Sequence, residues 1–248
     1  MRFFFEISYN GKNYSGWQSQ NNAMGVQAVV EDALSKLLRQ EIAIVGSGRT
    51  DTGVHCVQQF FHADIEKEFD QQKLMLKLNS FLPKDISIPS IQRVKDEAHA
   101  RYDATERSYI YRITTQKDPF LEGLALHYFR ELDITLMNKA AGLMIGTHDF
   151  ESLSKVKTDV NNFRCDIKKA EWKEHGAMLE FTITANRFLR GMVRATVGTL
   201  LDVGIGKTSV KDFQDILHSR DRRKAGANVP PYGLYLVKVK YPSNIFLK

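Results

Sequence analysis

Apolar and polar residues alternate from the start of the chain. Phe3, Phe5 and Ile7 fall on one side of residues 2–8, the period-two pattern of a half-buried strand, and the run ends at the turn signal Asn10-Gly11. Behind Gly25 the period changes. Val26, Val29, Val30, Ala33, Leu34, Leu37 and Leu38 recur at helical spacing, which predicts an amphipathic helix packed on that strand. Extended segments are expected over residues 42–45, 58–63 and 86–94, with a helix over 71–81 stopped by Pro83.

From Arg107 the same order of elements restarts. The pattern predicts a strand over 107–114, a helix over 133–145 and a hairpin around Glu174-His175-Gly176, then a helix over 187–203 and a last strand over 234–239. The halves share no sequence identity, and no Pro/Gly/Ser-rich linker lies near residues 100–106. The expected fold class is α+β: two pseudo-similar halves, 1–105 and 106–248, sharing a continuous, mostly antiparallel sheet with a cleft between them.

Composition narrows the function classes. At 248 residues with 43% hydrophobic and 26% charged, the chain can bury a sizeable core and is neither disordered nor fibrous. A net charge of +6 has the sign expected of a polyanion-binding protein. Two cysteines, Cys56 and Cys165, make no disulfide framework, and no Cys/His cluster has zinc spacing. The apolar run at Phe3-Phe4-Phe5 is interrupted at Glu6, too short for a signal peptide, and no stretch reaches membrane-spanning length. The expected compartment is the cytoplasm, without membrane association.

The most informative segment is Gly46-Ser47-Gly48-Arg49-Thr50-Asp51-Thr52-Gly53-Val54-His55, directly after an expected strand. A dinucleotide fingerprint would need glycine at Asp51. A phosphate-binding loop ending at Gly206-Lys207-Thr208 would need its first glycine at Leu201. Asp51-Thr52-Gly53 is also the triplet of aspartic proteases, in which two aspartates share a proton. One copy would demand a dimer, and the adjacent Arg49 is a cation that such a dyad does not accommodate. A plain reading remains beside these: a glycine-rich turn whose Asp51 caps backbone N–H groups.

The octet Gly48-Arg49-Thr50-Asp51-Thr52-Gly53-Val54-His55 resembles the signature of the tRNA pseudouridine synthase A family, which more often carries alanine where Thr52 stands. The resemblance runs the length of the chain. It includes Tyr9-Asn10-Gly11, Tyr14-Ser15-Gly16-Trp17-Gln18, His99-Ala100-Arg101-Tyr102, Arg107-Ser108-Tyr109, Gly146-Thr147-His148-Asp149-Phe150, Met192-Val193-Arg194 and Pro230-Pro231-Tyr232-Gly233-Leu234-Tyr235-Leu236. It implies the pseudouridine synthase fold and isomerisation of uridine to pseudouridine at positions 38, 39 and 40 in the anticodon stem-loop of tRNA. It also implies a homodimer, no cofactor and no metal.

Residue by residue, the resemblance makes Asp51 the nucleophile in the 1–105 half, and residues 106–248 complete the cleft. A carboxylate can hold one fragment covalently while the base turns, and a nearby guanidinium keeps it ionised. Arg194 is expected to be that ion-pair partner, on a helix whose polar side also carries Arg187 and Arg190, with Gly191 and Gly198 permitting close backbone approach. Arg49 is expected to fill the space left by a flipped uridine. Tyr109 is expected to stack on the uracil and assist proton removal from C5, and Leu234 to form an apolar floor beneath it.

His55 reads as a satisfied structural histidine rather than a base, and the cysteines take no role. Basic residues at Lys155 and Lys157, at Arg164, Lys168 and Lys169, and at Arg220, Arg222, Arg223 and Lys224 are the expected phosphate contacts. The rival class is a non-catalytic RNA-binding module, which would keep these charges and has no need of Asp51.

Overall fold

The computed structural model describes residues 1–18, 23–156 and 160–247. The chain divides into two compact units, Met1–Glu106 with Tyr235–Lys248, and Arg107–Leu234. The C-terminal segment groups with the first unit.

In the first unit, β1 (Arg2–Tyr9) leads through α1 (Val26–Leu38) and the short β2 (Val45–Gly46) to β3 (His55–Asp64), followed by α2 (Gln71–Phe81) and β4 (Ile86–Arg93). β1 lies between β3 and β4, antiparallel to both, and β2 pairs with the end of β3. Strand geometry over 42–45 is confined to Val45 and Gly46, although Ile42 and Ile44 are buried as a strand pattern would have them. β1 buries Phe3, Phe5, Ile7 and Tyr9 on one face as its alternation predicts, and its other face is buried at Phe4. Phe5 stacks on Phe61 at 4.8 Å on one side, and Phe4 meets Tyr241 at 5.1 Å and Phe246 at 6.1 Å on the other. The second cover comes from the far end of the chain, which pattern along β1 does not reveal.

In the second unit, β5 (Glu106–Thr114), β6 (Leu126–His127), α3 (Ile134–Gly142), β7 (Gly146–Asp149), β8 (Arg164–His175), β9 (Met178–Ala185), α4 (Met192–Gly204) and α5 (Val210–His218) follow in order. β5, β9, β8 and β7 form an antiparallel path, with β6 parallel to β5. Both units therefore carry helices and a mainly antiparallel strand set, as the α+β expectation requires. They also share a device. Asn79 of α2 exchanges two hydrogen bonds with the backbone of Ile88 in β4, and Asn138 of α3 does the same with Trp172 in β8.

After α5, the strand β10 (Leu234–Lys240) runs parallel to β3, with Tyr235 opposite His55 and Leu236 opposite Cys56. Helix α4 begins at Met192, not at 187. Gly191 sits in the left-handed region at φ 70°, and the Arg190 carbonyl accepts from the Lys155 N–H, so the helical path starts after both. Arg187 and Arg190 are therefore not on α4 with Arg194. Likewise α3 starts after Asp133, whose carboxylate caps the Leu136 N–H. Helix α5 has a sequence signal of its own: Ser209 and Asp212 form a reciprocal cap, and Phe213, Ile216 and Leu217 are its buried stripe.

Candidate active site

Asp51 lies in the irregular segment between β2 and β3, and the structure clamps that segment from both flanks. The buried Thr50 receives two ties, its hydroxyl meeting the Tyr9 hydroxyl at 2.8 Å and its carbonyl accepting the Trp17 N–H at 3.3 Å. Beyond Asp51, the Gly53 N–H donates to the Tyr14 carbonyl at 3.2 Å, and the Val54 N–H closes a tight turn onto the Asp51 carbonyl at 3.1 Å. His55 accepts the Gly11 N–H on Nδ1 at 3.1 Å, while its ring stacks on Tyr235 at 4.6 Å. Its placement is structural, as expected.

Residues 9–17 thus form the cradle of the Asp51 segment. Gly16 is indispensable there: its φ is +89°, and a Cβ would collide with the Thr50 carbonyl oxygen. A second layer holds the cradle. Asp85 accepts the Tyr14 hydroxyl at 2.6 Å and the Asn13 amide at 3.2 Å, and its carbonyl accepts the Asn10 N–H at 2.9 Å. Burial and the neighbouring Asp85 push the Tyr14 phenol up, so it stays a donor. Sequence reading assigned none of these residues a task. The signal was present in two glycines among aromatics at residues 9–17.

With Thr50 turned inward, Arg49 is exposed and Asp51 half-buried. Thr52, at the family's alanine position, is exposed, so its methyl and hydroxyl displace nothing.

The second unit carries Tyr109, Arg194 and Leu234. Tyr109 and Tyr111 lie two apart on β5 but differ in environment. Tyr111 is fully buried, donates its hydroxyl to the Pro230 carbonyl at 2.8 Å, and has its phenol pushed up by that burial. Tyr109 is half-buried, with its ring edge-on to Phe188 at 5.0 Å. Of the two, Tyr109 alone retains surface for a substrate.

Arg194 stands in the first turn of α4 and is half-buried. Its Nε donates to the Val229 carbonyl at 2.7 Å, and the Val229 N–H returns to the Arg194 carbonyl at 3.3 Å. The segment carrying Val229 is itself pressed on α4: a Cβ at Gly198 would collide with the Ala227 carbonyl, and the Gly226 N–H donates to Thr199 Oγ1 at 3.0 Å. Close approach thus occurs at Gly198, whereas Gly191 serves to start the helix. Leu234 is buried where a 3-10 turn, Pro231–Gly233, meets β10.

In the basic clusters, Lys155, Arg164, Lys168, Lys169, Arg220, Arg223 and Lys224 are exposed. Several also meet partners within the chain: Arg220 with Asp149, Arg223 with Asp221, Lys169 with Glu171, and Arg222 with the Ala225 carbonyl and Asn228. Lys157 lies outside the described residues. Cys56 and Cys165 are buried, and burial pushes the Cys165 thiol up to about 11, away from reactivity. Among the described residues, no three His, Cys, Asp or Glu side chains converge as metal ligands, and no helix is long and apolar enough to cross a membrane.

Comparison with known proteins places this geometry in a family. The model of a family described as tRNA pseudouridine synthase matches residues 7–103 and 140–242, which take in Asp51 and Arg194. The chain is 49% identical to a tRNA pseudouridine synthase A of Porphyromonas gingivalis, over 99% of each chain. It is 47% identical to one of Parabacteroides distasonis over 99% of this chain and 98% of that one. It is 39% identical to one of Colwellia psychrerythraea over 100% and 96%. This chain belongs to the tRNA pseudouridine synthase family.

Proposed function

We propose that the protein isomerises uridine to pseudouridine in the anticodon stem-loop of tRNA, at positions 38, 39 and 40, with Asp51 as nucleophile. The reading is carried by one observation above all. A half-buried carboxylate is held in an irregular loop whose neighbours on both sides are hydrogen-bonded to a dedicated cradle. A turn that merely capped itself would not require Gly16, Tyr14 and Asp85 behind it.

The reaction is an isomerisation, so its atoms balance within the substrate. The bond from N1 to the ribose breaks, the uracil turns, C5 bonds to the same ribose carbon, the C5 proton leaves and N1 gains one. Asp51 holds a fragment covalently during the turn, by attack on base or ribose. Arg194 is assigned to keep that carboxylate ionised, its Nε anchored on Val229 so that the guanidinium is held in one orientation. Arg49, exposed two residues before Asp51, takes the place of the flipped uridine in the stem. Tyr109 stacks on the base and assists removal of the C5 proton, and Leu234 closes the apolar side. No cofactor or metal is needed, and the work belongs in the cytoplasm, where tRNA is.

The decisive experiment incubates purified protein with an unmodified tRNA transcript and maps pseudouridine. Product at 38, 39 or 40 is expected, unaffected by a chelator. Binding without product would leave the non-catalytic RNA-binding module, and product elsewhere would overturn the anticodon-arm assignment. The family resemblance further implies a homodimer, which light scattering tests directly: a mass of twice the chain is expected, and a monomer at working concentration would remove it.

A further inference from the structure

The motif His99-Ala100-Arg101-Tyr102 takes no part in the proposed reaction, yet an unusual number of bonds fixes it. Ala100 is fully buried, donates its N–H to His62 Nδ1 at 3.1 Å and accepts the Tyr241 hydroxyl on its carbonyl. Arg2 donates to the Ala98 carbonyl at 3.0 Å. His99 Nδ1 accepts the N–H groups of Arg101 and Tyr102 at 3.1 and 3.3 Å, and Asp103 closes the turn on the His99 backbone at 2.7 Å.

This rigid turn presents a side chain that hydrophobicity alone would hide. Tyr102 is 74% exposed. Its ring lies 4.3 Å from the His99 ring, which in turn lies 4.8 Å from His62, so three rings step outward from the sheet. The Arg101 guanidinium stands 5.8 Å from the Tyr102 ring centre. Burial and the charge of Arg2 push the His99 pKa down, so at neutral pH the imidazole backs Tyr102 as an uncharged ring.

We propose that Tyr102, backed by His99 and flanked by Arg101, is a stacking platform for an unpaired base of the tRNA, remote from the reacting uridine. An apolar protein partner would seek a contiguous apolar patch. Tyr102 instead lies between Arg101 and Asp103 in sequence, an exposed π-face beside a cation. That combination suits a nucleobase, because every base offers a π-face and its backbone a phosphate. The platform rests on His62 near the Asp64 end of β3, whereas the Asp51 segment enters β3 at His55. Seven residues of strand separate those points by roughly 23 Å, so the stacked base lies several nucleotides from the one that reacts.

The inference rests on tRNA being the substrate, and the test separates the two. Affinity for an unmodified tRNA transcript is measured in the Asp51→Ala protein, alone and combined with Tyr102→Ala, Tyr102→Phe or Tyr102→Trp, across a salt series. Loss of one stacked base is expected to weaken binding roughly tenfold in Tyr102→Ala. Phe and Trp should restore it, with tryptophan emission quenched on binding. The salt slope should be the same in all four proteins, since no phosphate contact is lost. Equal affinity of the Ala and Phe variants, or a loss that Phe and Trp fail to restore at unchanged melting temperature, would overturn the platform while leaving the catalytic reading intact. Failure of tRNA to bind the Asp51→Ala protein at all would overturn both.

Discussion

The two units hold their candidate residues by opposite means. In the first, Asp51 sits on irregular backbone whose position is imposed by a second irregular segment, residues 9–17, through Tyr9, Tyr14, Gly16 and Trp17. In the second, Tyr109 and Arg194 are borne by a regular strand and the first turn of a helix, and the irregular segment at 226–229 is pressed onto that helix. A nucleophile that must meet a reacting carbon tolerates little displacement, and a loop reaches that accuracy only when other residues over-determine it. The roles proposed for Tyr109 and Arg194, stacking and charge pairing, would be served by regular elements.

The comparison is broken most directly at its chemical centre. Asp51→Ala is expected to lower turnover on the order of 10⁴-fold or more while tRNA affinity stays near that of the wild type. Single-turnover mapping of pseudouridine checks the first and filter binding the second. Surviving turnover, in protein free of contaminating synthase, would reduce the clamped loop to a structural turn.

Next in size are two glycines, one in each unit. Gly16→Ala would force a left-handed alanine, which costs roughly 1–2 kcal/mol, and would push the Thr50 carbonyl aside. Turnover is expected to fall about 100-fold, the effect of a misplacement near 1 Å. Gly198→Ala collides with Ala227 and should cost stability too, but it moves the segment that anchors Arg194 rather than the Asp51 loop. Its kcat loss at matched stability should be smaller. Equal losses would mean that both units position with the same strictness.

Acid should separate the units. His62, in the first unit, has its pKa lowered to about 4 by burial, then by the charges of Arg2 and His99, against smaller opposing effects of Asp64 and Asp103. Folded, it binds its proton less readily than unfolded, so its contribution is complete above about pH 6.5 and is lost as pH falls towards 4, by roughly 3 kcal/mol at most. Hydrogen exchange is expected to show β1 and β3 losing protection over that range before β8 and β9. His62→Gln should flatten the dependence. Parallel loss in both units would show that they open together.

Much of this contrast could be read in advance, and unevenly. The octet around Asp51 was legible because a loop of this shape needs glycines and a named acid at fixed places, which leaves a literal string. The cradle was not, because Tyr9, Gly16 and Asp85 act through partners distant in sequence, 71 residues for Tyr14 and Asp85 and 72 for Asn13 and Asp85, and no periodicity records them. In the second unit the reverse holds. Periodicity placed Tyr109 and Arg194 on their elements, but it ran α4 back to 187, because Phe188 and Leu189 continue the apolar rhythm while Gly191 breaks the backbone. Charge runs were the least informative, since Asp149, Asp221 and Glu171 had to be located before Arg220, Arg223 and Lys169 could be seen as engaged.

Tyr109→Phe and Tyr9→Phe complete the series, one hydroxyl from each unit. If Tyr109 assists proton removal, its loss should lower kcat by about 100-fold, at the low end of general acid–base effects, with KM little changed because the ring still stacks. An unaltered kcat would confine Tyr109 to stacking.

Tyr9→Phe should act on turnover through the loop, although the Tyr9 hydroxyl also meets the buried Cys56 thiol. It removes the partner of the buried Thr50 hydroxyl, which costs about 1 kcal/mol of stability. If the Asp51 loop is over-determined, as Gly16, Trp17 and Tyr14 suggest, the remaining ties should hold turnover to a few-fold loss. Thr50→Val in the same protein should recover most of the stability, since the orphaned hydroxyl is then gone, and the coupling energy from the double-mutant cycle should be near 1 kcal/mol. A loss of turnover as large as that of Gly16→Ala would show instead that this single hydroxyl pair sets the position of Asp51, and that the loop has no redundancy to distinguish it from the helix that carries Arg194.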